Sequence, residues 1–280
     1  MLWGIYPSRK ALILTSNPLA LQLYTVRDQL PAGRKALLRT IRSLGYGAVE
    51  PYDVRTDPAA LRADLDEAGL AVCSVHARAL GEEADALLDG ARILGAGTVI
   101  VPSVPAERFA DSDAIKALAR EFNETAARAG ERGLRFGYHN HAFEMSPVAD
   151  GRTGLEALAD SLDAAVLLEV DIYWAAVGGP TPPSPPSPPT PPGADVPALL
   201  RRLGDRVRYL HVKDGPVTRD DPMTAVGAGR MPVAEILAAC PSAEWHVVEL
   251  DRCATDMIRA VGDSLAWLAG HGLATRLSPR

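Results

Sequence analysis

Eight short apolar runs, each the length of one strand and most followed by a helix-length stretch, limit what this chain can become. They are Leu19–Val26, Ala48–Tyr52, Ala71–His76, Thr98–Pro102, a run opening at Arg135, Ala165–Tyr173, Val207–Val212 and Trp245–Leu250. Thr98–Pro102 has no polar alternation, as expected of a strand covered on both faces. The intervening segments change to helical periodicity: Leu37, Leu38, Ile41 and Leu44 share one face of Lys35–Leu44. Pro58–Ala68 opens on Asp57 as an N-cap and closes near Gly69, and Glu82–Leu94, Asp111–Gly130, a short piece around Leu155–Leu162 and Thr255–Ala269 carry similar buried stripes. An open doubly wound sheet would more often stop at five or six strands and place a glycine-rich phosphate loop after the first. Here Tyr24–Leu30 follows the first strand and contains no glycine. The expected fold is therefore α/β, a (β/α)8 TIM barrel, which typically needs roughly 250 residues.

The chain has 280 residues, so the barrel is assigned to 18–280 and residues 1–17 to an extension preceding it. Met1–Asn17 has apolar pieces too short to span a bilayer, and its positive charges follow the first of them, which argues against a signal peptide. Residues 178–193 read G-G-P-T-P-P-S-P-P-S-P-P-T-P-P-G, a low-complexity, polyproline-type tract that cannot supply a regular ladder. It reads as a surface insertion after the sixth strand, because the strand count needs both flanks. The net charge of −6 and the absence of a basic run argue against a nucleic-acid partner and suit a small-molecule enzyme. Three scattered cysteines, Cys73, Cys240 and Cys253, form neither a disulfide framework nor a zinc knuckle, which points to a reducing, cytoplasmic setting.

Four of the strand-like runs end in potential metal ligands or acid–base groups. The fifth reads R-F-G-Y-H-N-H-A-F-E and supplies His139, His141 and Glu144; the sixth ends in Glu169 and Asp171 on one side of the strand; the seventh ends in His211, Lys213 and Asp214; the eighth ends in Glu249 and Asp251. Strand ends converge at the mouth of a barrel, so these residues can meet. Glu144, Asp171, His211 and Glu249 are the expected ligand set, with His139 as the alternative to Glu144. Three carboxylates and one imidazole favour manganese or magnesium, with cobalt possible, over a thiolate-type zinc site.

The stretches L-Q-L-Y-T-V-R, Y-H-N-H-A-F-E, E-V-D-I-Y-W, H-V-K-D and V-V-E-L-D-R-C resemble the xylose-isomerase-like TIM-barrel family of sugar phosphate isomerases/epimerases, from about Pro18 to Leu268 without the proline tract. The resemblance implies a divalent ion, usually manganese, held by glutamate, aspartate, histidine and a second glutamate. These fall on Glu144, Asp171, His211 and Glu249. Many relatives carry the first glutamate inside strand five, where this chain has Tyr138 or His139. Gln22, Arg27, Glu50, His76 and Lys213 become the substrate-facing candidates, and relatives of this kind often pair as homodimers. The implied activity is isomerisation or epimerisation of a sugar or sugar phosphate. A proton is removed next to a carbonyl, through an enediolate, with Glu144, Glu249 and His141 as catalytic groups. The same apparatus could expel a β-hydroxyl, giving a dehydratase or lyase on a keto-sugar or keto-inositol. A metal-free binding or scaffold barrel is the non-enzymatic alternative.

Overall fold

The computed structural model describes residues 17–52, 54–148, 151–179, 193 and 195–275. The expected extension, but for Asn17, and the proline tract, but for Gly178, Gly179 and Gly193, lie outside the described residues. Parallel strands form the barrel: β1 (Asn17–Gln22), β2 (Ala48–Glu50), β3 in two pieces (Ala71–Val72 and Val75–His76), β4 (Thr98–Val101), β5 (Arg135–His139), β6 (Val166–Asp171), β7 (Val207–Val212) and β8 (Trp245–Val248). Each pairs with the next, and β8 returns to β1 through Leu19 opposite His246 and Leu21 opposite Val248. The first piece of β3 pairs with β2 and the second with β4. Backbone bonds from Cys73 N–H to Val49 and from Ala77 N–H to Ile100 carry the pairing past the break. A two-residue strand, β9 (Ala274–Thr275), adds to the start of β1.

Helices fill the connections: α1 (Leu30–Leu44), α2 (Pro58–Ala68), α3 (Ala84–Leu94), α4 (Ser112–Gly130), α5 (Gly154–Ser161), α6 (Ile172–Gly178), α7 (Val196–Leu203), α8 (Val233–Ala238) and α9 (Met257–Gly270). Their starts obey local chemistry. Asp57 and Asp111 accept hydrogen bonds from first-turn N–H groups of α2 and α4, and Thr153 with Glu156 forms a capping box on α5. Among the described residues no helix is long and apolar enough to cross a membrane.

The sequence periodicity missed α6, α7 and α8. These have six to eight residues, where a stripe is at its weakest; α5, of eight, was still legible, whereas α7 abuts the proline tract. The first strand also ends earlier than expected. At Gln22 the side-chain oxygen accepts from the Tyr24 N–H at 3.0 Å and turns Leu23–Val26 into a 3-10 segment.

Residues two apart on a strand point the same way, so the barrel interior is layered. The lower layer is Ala20, Ala48, Cys73, Ile100, Leu167, Tyr209 and Val247, a separate apolar cluster. Two positions further along, the same strands present Gln22, Glu50, His139, Glu169, His211 and Glu249, all buried. Close packing in the lower layer depends on Gly137 of β5. A Cβ there would stand 2.4 Å from Leu167 Cδ1 and 2.7 Å from the Leu167 carbonyl oxygen. The upper layer faces the C-terminal mouth, where barrels of this kind place their chemistry.

Candidate active site at the mouth of the barrel

His211 is the hub of the upper layer. Its Nε2 lies 2.7 Å from Glu50 Oε2 and 3.1 Å from Glu169 Oε2, and its Nδ1 lies 2.9 Å from Glu249 Oε2. His76 reaches the same two inner carboxylates, Glu169 at 2.6 Å and Glu50 at 3.2 Å. His139 Nδ1 is 3.1 Å from Glu169 Oε2 and its Nε2 3.7 Å from Asp171 Oδ2. The fully buried Lys213 ammonium faces Glu249 at 2.6 Å, Asp171 at 2.9 Å and Asp251 at 3.1 Å.

Charge and burial compete at every one of these groups. Burial alone would push the carboxyl pKa of Glu169 up, but the charges of His211 and His76 outweigh it and hold it well below the usual range. Burial likewise opposes ionisation of Glu249, and Lys213 with His211 reverse the effect. Glu50 goes the other way: burial, and then the nearby Glu169 charge, raise its pKa. Burial lowers the basicity of His211, yet Glu169, Glu249 and Glu50 together raise it well above an ordinary imidazole. His139 is held neutral, chiefly by burial and then by His211. Burial also moves His141 down to about 4, helped by Lys213, and lifts Asp171 to about 6.

Of the four buried carboxylates, Asp171 and Glu249 face the permanent cation Lys213, whereas Glu50 and Glu169 face only imidazoles among basic groups, which are cations only when protonated. Such an imbalance is costly unless protons or a further cation make it up. Two overlapping groups hold ligand atoms within 4.8 Å of one another: His76, His139, Glu169 and His211, and His139, Asp171, His211 and Glu249. Two buried oxygens, Glu169 Oε1 and Asp171 Oδ2, make no hydrogen bond, although Asp171 Oδ2 faces Lys213. A divalent ion would need its ligand atoms gathered within a few ångströms of one another, as these are. The second group is thus of a size to close on a divalent ion.

The expected ligands do not all gather. Asp171, His211 and Glu249 come together, and His139, the alternative, joins them. Glu144 turns away: Oε1 accepts from the Tyr138 hydroxyl at 2.5 Å and Oε2 from the His141 N–H at 3.0 Å. The reason is positional. His139 is the inward-facing last residue of β5, whereas Glu144 sits in the 3-10 turn Phe143–Met145 beyond the strand. Burial moves Glu144 up to about 7. It anchors the backbone that carries His141 and lies outside the lining of the cavity.

The substrate-facing candidates also divide. His76 lines the cavity at the barrel mouth, about 430 Å³ in volume, with His139, His141, Glu249 and Asp251. Gln22 and Glu50 lie beneath it and serve the cluster: Gln22 Nε2 donates to Glu50 Oε2 at 2.7 Å, and Ser74 Oγ to Glu50 Oε1 at 2.5 Å. Arg27 donates to the carbonyls of Tyr24 and Asp251, tying the segment after β1 to the one after β8. Lys213 bridges carboxylates and is absent from the cavity lining.

Residues outside the expected ligand, catalytic and substrate-facing sets complete it. Glu169 was legible as the residue two before Asp171. Asn140 pairs with the Asp171 backbone, Nδ2 donating to its carbonyl at 3.4 Å and Oδ1 accepting from its N–H at 3.0 Å. Trp174 Nε1 donates to Asp251 Oδ2 at 3.1 Å. Tyr24 and Tyr52, edge to face at 5.4 Å, wall the mouth with aromatic surface; Tyr24 lies within the L-Q-L-Y-T-V-R stretch but was not singled out for the site.

Comparison with known proteins agrees with this architecture. Residues 38–269 match the family model described as xylose isomerase-like TIM barrel. The chain belongs to that family. No curated protein matches it. Among solved structures it is similar to a sugar phosphate isomerase/epimerase from Parabacteroides distasonis, with TM-score 0.73 and 21% identity over 95% of this chain and 97% of that one. An L-ribulose 3-epimerase matches with TM-score 0.61 and 16% identity over 92% and 95% of the two chains. The IOLI protein with a binding zinc atom matches with TM-score 0.66 and 12% identity over 93% and 99%. At these identities the likeness to family members is one of fold.

Proposed function

We propose that this protein is a divalent-metal-dependent isomerase or epimerase of a sugar or sugar derivative, working by proton abstraction next to a carbonyl. One observation carries the reading: His139, Asp171, His211 and Glu249 come from the ends of four successive strands with their ligand atoms within 4.8 Å of one another, and His139 and Glu249 of them line the cavity. Family membership and neighbours that include an L-ribulose 3-epimerase support the reaction class. Two imidazoles and two carboxylates are a mixed donor set, better suited to manganese, cobalt or zinc than to magnesium. Manganese remains the first ion to test. Bound there, such an ion would lower the barrier by several kcal/mol by polarising a carbonyl oxygen.

The chain's own groups supply the rest. His141 lines the cavity, its buried Nδ1 makes no hydrogen bond, and burial keeps its imidazole neutral near pH 7, so the ring can accept a proton and return it. Glu249, ionised and at the cavity wall, is the second base. Lys213 holds Glu249 and Asp251 in place, and Glu144 fixes the His141 backbone as a positioning residue. Two bases at one substrate carbon allow removal of the proton on one side and its return on the other.

The test is titration of the metal-stripped protein with manganese, followed by incubation with ketopentoses and ketohexoses in heavy water. One manganese per chain, a rise in melting temperature and deuterium at the carbon next to the carbonyl are expected. Loss of water from the sugar would move the assignment to a lyase. Absence of stoichiometric metal would remove the mechanism.

A further inference from the structure

The cavity floor is acidic, yet its rim is not. Two arginines line the cavity, Arg55 and Arg78. Arg55 is committed to a forked ion pair with Glu83. Arg78 is different. Its guanidinium makes one hydrogen bond, to Ser103 Oγ at 3.1 Å, and no ion pair with any described residue. Most arginines of the outer surface do find carboxylates, among them Arg34 with Asp64, Arg108 with Glu121 and Arg132 with Asp89.

The placement of Arg78 is built into the barrel. It lies two residues past the end of β3, and Ser103 two residues past the end of β4, so both stand on the face where the chemistry is. Buried Ala77 and Ala79 hold the backbone on either side, and the Ala79 and Leu80 N–H groups close tight turns onto the Ala77 and Arg78 carbonyls. The base of the side chain is fixed while its head is open to solvent in the cavity.

We propose that Arg78 and Ser103 form an anion subsite, which takes a phosphate or carboxylate group at the end of the substrate remote from the reacting carbon. A planar guanidinium offers paired donors to either oxyacid, and the Ser103 hydroxyl adds a third. Arg78 and Ser103 stand two residues beyond their strands, whereas the metal-type ligands close theirs, so a substrate whose charged end meets Arg78 presents its carbonyl end to the floor. A cavity of about 430 Å³ has room for a sugar of this kind. The subsite rests on the isomerase reading only in naming the inner end of the ligand.

Binding to the full-length, manganese-loaded protein tests it, by calorimetry with D-fructose 6-phosphate, D-gluconate and D-fructose as probes. Manganese affinity is measured on the same samples. At least one anionic probe is expected to bind about 10-fold or more tighter than D-fructose, a charge-assisted contact being the difference. The stronger anionic arm identifies phosphate or carboxylate as the recognised group. Arg78→Ala should erase that preference, Arg78→Lys should restore part of it, and neither should change manganese affinity. No saturable binding of either anion, or a preference that survives Arg78→Ala, overturns the subsite. Loss of the preference in a protein that binds no manganese would leave the subsite standing and remove the metal mechanism instead.

Discussion

The two inner layers of the barrel are made by the same strands, two residues apart, and they differ in kind. Below lie Ala20, Ala48, Cys73, Ile100, Leu167, Tyr209 and Val247, apolar but for a tyrosine hydroxyl that meets Thr98, Arg135 and the Cys73 carbonyl. Above lie Gln22, Glu50, His139, Glu169, His211 and Glu249, where every side chain but Gln22 is ionisable. The lower layer needs volume and shape. The upper one needs charge balance, and its desolvated carboxylates oppose folding unless partnered. Stability and chemistry are thereby separated by one pleat of the sheet, so changes on the two sides of that line should have opposite signatures.

The largest effect belongs to Glu249→Gln. The amide keeps the volume, but it removes the charge that His211 and Lys213 face at 2.9 and 2.6 Å. Deuterium exchange into a turned-over ketose should fall by about 10³-fold or more. Melting temperature without metal should fall only modestly, because Lys213 keeps Asp171 and Asp251 as partners and His211 keeps Glu50 and Glu169. Exchange at the native rate in that variant would remove Glu249 from the mechanism.

Below the line the expectation reverses. Leu167 fills the space that Gly137 leaves open. Leu167→Ala should cost about 2–5 kcal/mol in urea unfolding, the range for a buried leucine truncated in a packed core. The folded fraction should still bind manganese with unchanged stoichiometry. If Leu167→Ala instead abolished metal binding in folded protein, the two layers would not be separable.

How far each layer could be read in advance follows from the same geometry. The eight strands were legible because barrel strands are apolar on both faces, and α1 to α4 because four turns or so show a stripe. Asp171, His211 and Glu249 were legible as polar residues closing apolar runs. Glu144, expected as a ligand with His139 as the alternative, does not join the cluster, because it lies beyond the last inward-facing residue of β5. The chain turns after Asn140, and Tyr138 collects the carboxylate from behind. Arg78 and Ser103 sit in loops without period or motif, and Tyr24 and Tyr52 lie at the ends of strand-like runs with nothing local to say that they line a site. Only the closing of the ring brings them to one cavity, and no local pattern encodes that.

The smallest effect tests whether the lower end of the barrel has titrating chemistry of its own. His246, near the start of β8, is buried. Its Nδ1 donates to the Leu273 carbonyl at 3.1 Å, which leaves Nε2 to accept from Asn17 Nδ2 at 3.3 Å. Burial lowers its pKa to about 4, against about 6.5 for an exposed imidazole. The folded state therefore binds fewer protons than the unfolded chain between those values. Stability from this residue is fully present above pH 6.5 and is lost as pH falls through 4. The loss by pH 4 is roughly 3 kcal/mol at most. His246→Gln keeps a donor for Leu273 and an acceptor for Asn17 but cannot titrate. Urea unfolding across that pH range should give a shallower acid slope in the variant than in the native chain, with similar stability near pH 8. Equal slopes would assign acid sensitivity to the upper layer alone, where the imidazoles and carboxylates already share their protons.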